Sequence, residues 1–509
     1  MTATPIQANV ARQYLAADAQ ASWDPELGTI TYDDASPPRG SRTVSVRLTG
    51  GNALDAVGAW EGPLSRPGSV LRFPMTVEKG EWRITRAPDA LIVPEGWFEQ
   101  RYRQVSLYYF DPSARVLVPE PVFVPRGDQL ATALIRGLLR GPSRALSRVV
   151  TTFIPPGLES GLSVTVDAGV AEIALAGNPG QLSVETNELI LAQLAWTLRQ
   201  EPGITALRVT VNGEPLRMPG GASEYDVTAP AAYDPTGFQV STLLYGLQEG
   251  LLVSGTPETL APVDGPFGRQ EYGVVDIGVN LDASRVAAVS ADGSALLEGP
   301  VTGDEPVATL VSGGTDLARP AWDFAGRMWL LDRRVGGAAF SYIRDGRQRE
   351  LTVPGISGQR VTSFLVSRDG SRLAAVVRRS RQDVVLISRL RYDGRGRVLG
   401  ATPAERASWS GSGLLRARSL TWLSPTTLAV LHRLVRNQLQ VRTISVDGAP
   451  VSQEGVAQSL LTGVRALVGS PKTANSLYAL TGDSLLDLST ANGVELGLEP
   501  PVDVLHYAG

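Results

Sequence analysis

The chain has 509 residues, 43% hydrophobic and 19% charged, with a formal net charge of −4 and no cysteine. So long a chain exceeds one hydrophobic core and is expected to form two to four domains. The missing cysteines exclude disulfides, thiolate metal sites and cysteine nucleophiles, and the near-neutral charge gives no reason to expect nucleic acid as a partner.

A helical pattern opens the chain, with Ala8, Val10, Ala11, Tyr14 and Leu15 on one side of the stretch 7–17. Strand-like runs follow: Thr43 to Leu48 alternates in polarity, and Glu81-Trp82-Arg83-Ile84 closes the segment before Pro88. The next segment begins with a strand from Val105 to Phe110. A helix is expected from an Asp128 cap through Arg140, with Leu130, Leu134, Ile135 and Leu138 inward and Gly141-Pro142 as the stop. Strands are expected from Leu162 to Val166 and from Val170 to Leu175, joined by a tight turn at Asp167-Ala168-Gly169. A longer helix spans about 185–200, and the strand Leu207 to Val211 runs into the hairpin signal Asn212-Gly213. This order describes a compact two-layer α+β unit.

From Phe238 onward helical periodicity vanishes and a weak repeat replaces it. Its copies pair a polar turn with an apolar strand, as in Ser367-Arg368-Asp369-Gly370-Ser371-Arg372-Leu373-Ala374-Ala375-Val376. The anchors Leu251, Val286, Met328, Leu373, Leu428 and Leu477 are spaced 35, 42, 45, 55 and 49 residues apart. Spacing of about 40–50 residues fits one four-stranded propeller blade. Six blades are expected, with five or seven left open by the weak end copies.

Chemistry is sparse. The two histidines are read without chemistry: His432 as a packing or surface residue of a strand, and His506 as a chain-end residue that frays or takes part in ring closure. No Gly-x-Ser-x-Gly elbow occurs, and neither lysine, Lys79 or Lys472, sits in a phosphate loop. Most acids are read as turn residues, as in Asp292-Gly293, Asp345-Gly346, Asp369-Gly370, Asp393-Gly394 and Asp447-Gly448, where a turn wants aspartate for its own backbone. Two carboxylates facing each other across a propeller channel would instead suggest a glycosidase. Arginine accounts for 45 of the 47 basic residues, which reads as codon bias of a GC-rich genome. One run stands out: Arg372, Arg378, Arg379, Arg381, Arg389, Arg391, Arg395 and Arg397 accompany only Asp383 and Asp393. It is the candidate interaction surface for an anionic polymer, a membrane surface or an acidic partner. The competing reading is a solvated outer strand pair whose charge discourages edge pairing.

Laid out this way, the chain resembles the LpqB family of actinobacterial lipoproteins. Glu81-Trp82-Arg83-Ile84-Thr85-Arg86 with Trp97-Phe98 is similar to the segment that closes the family's NTF2-like N-terminal domain. Leu107 to Pro112, Gln129-Leu130-Ala131-Thr132 and Leu139-Arg140-Gly141-Pro142-Ser143, with Gln193 to Leu198, resemble a GerMN domain. Gly265-Pro266-Phe267-Gly268-Arg269 resembles the lead-in to the family's propeller. The resemblance implies a multidomain fold: a small NTF2-like α+β domain over 1–103, a two-layer α+β GerMN domain over 104–236, and an all-β propeller over 237–509. It further implies a non-enzymatic lipoprotein, lipid-anchored to the outer face of the cell membrane. Its partner would be the extracellular domain of a two-component sensor histidine kinase governing envelope homeostasis and division. The family's signal peptide and lipid-accepting cysteine are not in this sequence, so this chain is expected to be the soluble part, and membrane attachment only through that anchor. No cofactor, metal or catalytic residue is implied. A peptidoglycan- or glycan-binding module is the alternative, which aromatic residues around a pocket in either N-terminal domain, or a polar propeller funnel, would favour.

Overall fold

The computed structural model describes residues 8–161, 163–180, 182–217, 219–407, 416–435, 438–451, 462–472, 476–489 and 493–509. It divides into two compact units, Met1–Tyr109 with Pro119–Pro230, and Phe110–Val118 with Ala231–Gly509. Among the described residues no helix is long and apolar enough to cross a membrane.

The first unit is α+β. Its N-terminal part holds two four-stranded sheets. One orders Trp60–Pro63, Asn52–Leu54, Thr29–Tyr32 and Leu91–Pro94, and the other Asp34–Ala35, Thr43–Thr49, Val70–Glu78 and Glu81–Ile84. The single opening helix expected over 7–17 is instead two short ones, Asn9–Arg12 and Ala17–Ser22, because the chain leaves helix at Leu15, where a bridge to Ile84 buries it. Farther along, the helix Leu130–Arg140 buries Leu130, Leu134, Ile135 and Leu138 on one face and stops at Gly141, whose φ of 85° an L side chain resists. Asp128 is not its cap: Gln129 holds that position and no side chain caps the helix. The second helix, Val184–Leu198, is capped by Ser183, whose hydroxyl accepts from the Thr186 amide at 3.1 Å. Thr165–Asp167 pairs antiparallel with Val170–Ala176 across the expected turn, while Leu162 lies outside the described residues. Val170–Ala176 then runs parallel to Ala206–Val211, so the α-helical crossover between them is Val184–Leu198.

Among the described residues the second unit shows six sheets in a ring. The second blade orders Val274–Val279, Arg285–Ser290, Leu296–Pro300 and Ala308–Val311. The third orders Ala321–Trp322, Met328–Arg334, Gly337–Arg344 and Arg347–Leu351. Val361–Val366, Arg372–Arg378, Asp383–Tyr392 and Val398–Ala401 make the fourth. The fifth has Ala417–Ser424, Thr427–Val435 and Gln438–Ser445, and the sixth Ala466–Gly469, Leu477–Leu480, Ser484–Asp487 and Glu495–Gly497. The first blade is shared between chain ends: Leu244–Gln248, Leu251–Thr256 and Thr259–Pro262 are completed by Val504–Tyr507 as the innermost strand. Leu251 therefore opens a third strand, whereas the other five anchors each lie at the start of a second strand.

The repeat reads as continuous apolar runs because each second strand is buried on both faces. Ala287 and Val289 pack with Trp322, Met328 and Leu330 of the third blade, while Val286 and Ala288 pack with Tyr245 and Leu252 of the first. In the fourth blade Leu373, Ala375 and Val377 face the third, and Ala374 and Val376 face the fifth. Alternate residues along a strand thus serve two neighbouring interfaces. Leu244 and Leu505 pack with Val468, Leu480 and Leu485, which closes the ring from sixth blade to first. Gly246 is required there, since a Cβ would lie 2.5 Å from the Val504 carbonyl oxygen of the closing strand.

Candidate functional site

The acids before glycine are turn residues. Asp292 accepts from the Ser290 and Ser294 hydroxyls at 2.6 and 2.8 Å and from the Ser294 amide at 3.0 Å, and these bonds hold its carboxyl down at about 2. Asp369 accepts from the Ser367 hydroxyl and the Ser371 amide, and Asp447 from the Ser445 hydroxyl and the Ala449 amide, in the same geometry. Asp393 accepts the Arg395 and Arg397 amides, each at 2.9 Å.

The six innermost strands surround an axial recess of about 380 Å³. Asp276, Arg319, Ser363, Arg418, Leu467 and His506 line it, one from each blade or the turn that leads into it. The Asp276 carboxylate lies 3.5 Å from His506 Nε2. Burial, then the Arg319 charge, lowers the His506 imidazole below its usual range, and its bond with Asp276 only partly offsets this. The hydrogen bond from His506 holds the Asp276 carboxyl down against its own burial. Asp316 pairs with Arg333 at 2.6 Å. Each carboxylate of the recess is thus occupied by a base or a turn. A glycosidic general acid needs a carboxyl with a raised pKa, and Asp276 and Asp292 are shifted the other way.

The arginine run is divided by the structure. Arg372 and Arg378 begin and end one seven-residue strand, about 20 Å apart at the usual rise. Arg372 faces Arg389 across the pair, and Arg378 faces Asp383. Arg372 is only 2% exposed, its guanidinium 3.6 Å from Asp369 and bonded to the Ser371 hydroxyl, so it is corrected from surface to interior. Its neighbours at that end are Arg389, paired with Glu405 at 2.7 Å, half-buried Arg391, exposed Arg395, and Arg397, paired with Asp393 at 2.6 Å. Arg378, Arg379 and Arg381 stand at the other end, where Arg378 meets Asp383 at 3.2 Å and the other two are exposed.

That second end gathers arginines from outside the run. Arg360, Arg416, Arg418 and Arg433 join Arg378 and Arg379 around a recess of about 660 Å³ between the fourth and fifth blades. Arg360 also lines the recess at 333–338, and Arg418 also lines the axial one, so the three are neighbours that share lining residues. A sequence signal exists. Arg333-Arg334, Arg378-Arg379 and Arg433 mark the ends of second strands in three successive blades, visible once the blades are aligned by their strands.

A separate recess of about 220 Å³ lies within the first unit. The turn at Asp55–Gly58, the rings of Tyr102 and Phe123, and Gln129, Arg136 and Arg140 line it. Phe123 lies 5.2 Å from Phe98, whose ring stacks on Tyr102 at 4.5 Å. Burial pushes the Tyr102 hydroxyl up to about 12 and raises the Asp55 carboxyl, although that carboxylate accepts the Val57 and Ala59 amides. Arg140 donates to the Ala56 carbonyl at 2.6 Å, fixing helix to turn. Gly58, at φ 84°, lets the turn approach Phe123, whose carbonyl oxygen would be 2.2 Å from an added Cβ.

Comparison with known proteins follows the same order. The family described as "Lipoprotein LpqB, N-terminal domain" matches residues 1–99, "Sporulation and spore germination" matches 106–217, and "Lipoprotein LpqB beta-propeller domain" matches 250–495. Lipoprotein LpqB of Thermobifida fusca is 27% identical, covering 89% of this chain and 80% of that one. Its namesakes from Cutibacterium acnes and Mycobacterium bovis BCG are also 27% identical, over 94% and 93% of this chain and 83% of each relative. TolB of Acinetobacter baumannii aligns over 69% of this chain and 99% of its own at 15% identity, with a TM-score of 0.36, too low to carry an argument.

Proposed function

Since the chain belongs to the LpqB lipoprotein family, we propose that it is the binding portion of a non-enzymatic envelope lipoprotein that modulates a membrane sensor histidine kinase. In the full-length protein a lipid anchor would hold it at the outer face of the cell membrane. There it would meet the kinase's extracellular domain and tune signalling in envelope homeostasis and division. The observation carrying this reading is the succession of three family domains in one chain, shared nearly end to end with proteins named as lipoproteins. A ring braced by an apolar interface between each pair of neighbouring blades supports a docking role. It presents loops from several blades on one face without internal rearrangement. Calorimetric titration of this chain against the purified extracellular domain should give saturable binding. An absence of heat up to high micromolar concentration would remove the reading.

The first-unit recess favours a second reading, a site for an envelope glycan or peptidoglycan fragment. Tyr102 and Phe123 offer ring faces for a sugar, while Gln129 and Asp55 supply polar groups around a space fit for a small ligand. Thermal-shift measurement with muropeptides should raise the midpoint of the first unit, since a ligand at 100 times its Kd adds about 2.7 kcal/mol to the bound state. An unchanged midpoint at millimolar fragment leaves the kinase reading alone.

A further inference from the structure

The arginine recess between the fourth and fifth blades has an imbalance that folding alone does not require. Among the described residues six arginines line it and no carboxylate does. Beneath them Asp383, 1% exposed, pairs with Arg378 at 3.2 Å and Arg416 at 3.1 Å and also accepts the Ala417 amide at 3.0 Å. Its capacity is spent on those groups. Arg360, Arg379, Arg418 and Arg433 are exposed, and among the described residues none has a carboxylate within ion-pair distance. Like charges so concentrated repel one another, and Asp383 is one internal counter-charge against six guanidinium groups.

Part of the set is fixed in advance. Arg416 donates to the Arg379 and Ser380 carbonyls at 3.0 and 2.7 Å as well as to Asp383, so its side chain is ordered before any ligand arrives. Guanidinium forks arranged around a recess of about 660 Å³ can meet a tetrahedral oxyanion from several sides at once, which suits phosphate better than a planar carboxylate. Arg360 and Arg418 carry the same charge into the two adjoining recesses.

From this we propose that the recess is a binding site for phosphate groups, carried by a soluble polymer or by lipid headgroups. The claim is independent of the kinase reading, as it rests on charge and geometry in the propeller alone. The test uses sodium tripolyphosphate as probe, titrated into the full chain at 50 and 300 mM salt. Binding should weaken at the higher salt, as expected for partly exposed charges. The double variant Arg418→Glu with Arg433→Glu should bind at least about tenfold more weakly, the loss expected when charge-assisted contacts are reversed. Arg360→Gln alone should weaken it to a lesser degree, and serves if the double variant does not fold. Arg395→Glu, at the far end of the fourth blade, should bind as the parent does. Sedimentation with phosphatidylglycerol vesicles, absent with phosphatidylcholine and lost in the double variant, assigns the phosphate to a lipid headgroup. Tripolyphosphate binding without sedimentation assigns it to a soluble polymer. No binding at millimolar tripolyphosphate overturns the proposal, as does equal affinity in parent and variants or equal affinity for polyglutamate.

Discussion

Asp323 and Arg397 show how far environment separates two ion pairs of the same chemistry. The Asp323 carboxylate accepts from Arg327 Nε at 2.7 Å, from Trp329 Nε1 at 2.9 Å and from the Ala325 amide at 2.9 Å. Arg327, 1% exposed, also donates to the Gly396 carbonyl and lies 4.4 Å over the Tyr392 ring. Asp393 and Arg397 make an equally short contact, 2.6 Å, but with the arginine side chain 74% exposed. Water screens that pair and competes for its hydrogen bonds, whereas removing Asp323 would leave a buried guanidinium without its counter-charge and an indole N–H unsatisfied. Asp323→Ala should therefore destabilise the propeller by about 3–5 kcal/mol. Arg397→Ala should cost less than about 1 kcal/mol. Urea unfolding followed through tryptophan fluorescence compares the two directly, and similar midpoints would contradict the assigned environments.

At the scale of elements, legibility in the sequence follows how local the cause is. The helix Leu130–Arg140 was readable because one apolar face and a terminal glycine are both written within its own residues. Its start lies one residue past the expected Asp128, because the backbone places the cap at Gln129 although aspartate is the better capping side chain. The blade repeat was readable because strands buried on both faces must be apolar throughout, and because the turn aspartates recur before them. The first anchor went astray for a non-local reason: the first blade takes its innermost strand from Val504–Tyr507, so Leu251 falls one strand later than its counterparts. The arginine face was half readable. Arg378 and Arg379 belong to the run, but antiparallel pairing carries Arg372, Arg389 and Arg391 to the far end of the blade. Arg360, Arg416, Arg418 and Arg433 are brought in by the ring, which no linear window sees.

For the molecule as a whole, the carboxyls of the first unit and the histidines of the second predict responses to acid in opposite directions. In the first, Glu95 shares a hydrogen bond with Asp33, and this contact, with burial and the charges of Asp33 and Glu99, pushes its carboxyl up to about 7. A folded-state pKa above the unfolded value near 4.5 means the folded unit binds the extra proton first, so stability is gained as pH falls from about 7 towards 4.5 and lost as it rises again. Burial raises Asp55 too, which extends the trend to lower pH. In the second unit the chain's only two histidines, His432 and His506, are both lowered, chiefly by burial. The unfolded chain then takes up protons first, so this unit loses stability as pH falls below about 6.5. Separate cores need not unfold as one transition. Calorimetry should accordingly show the first unit's transition moving up and the propeller's moving down between pH 7.5 and 5.0. Glu95→Gln should flatten the first trend by fixing the uncharged form beside Asp33. His506→Asn should flatten part of the second, leaving the contribution of His432. Parallel movement of both transitions, or trends untouched by these substitutions, would show that other groups govern the response.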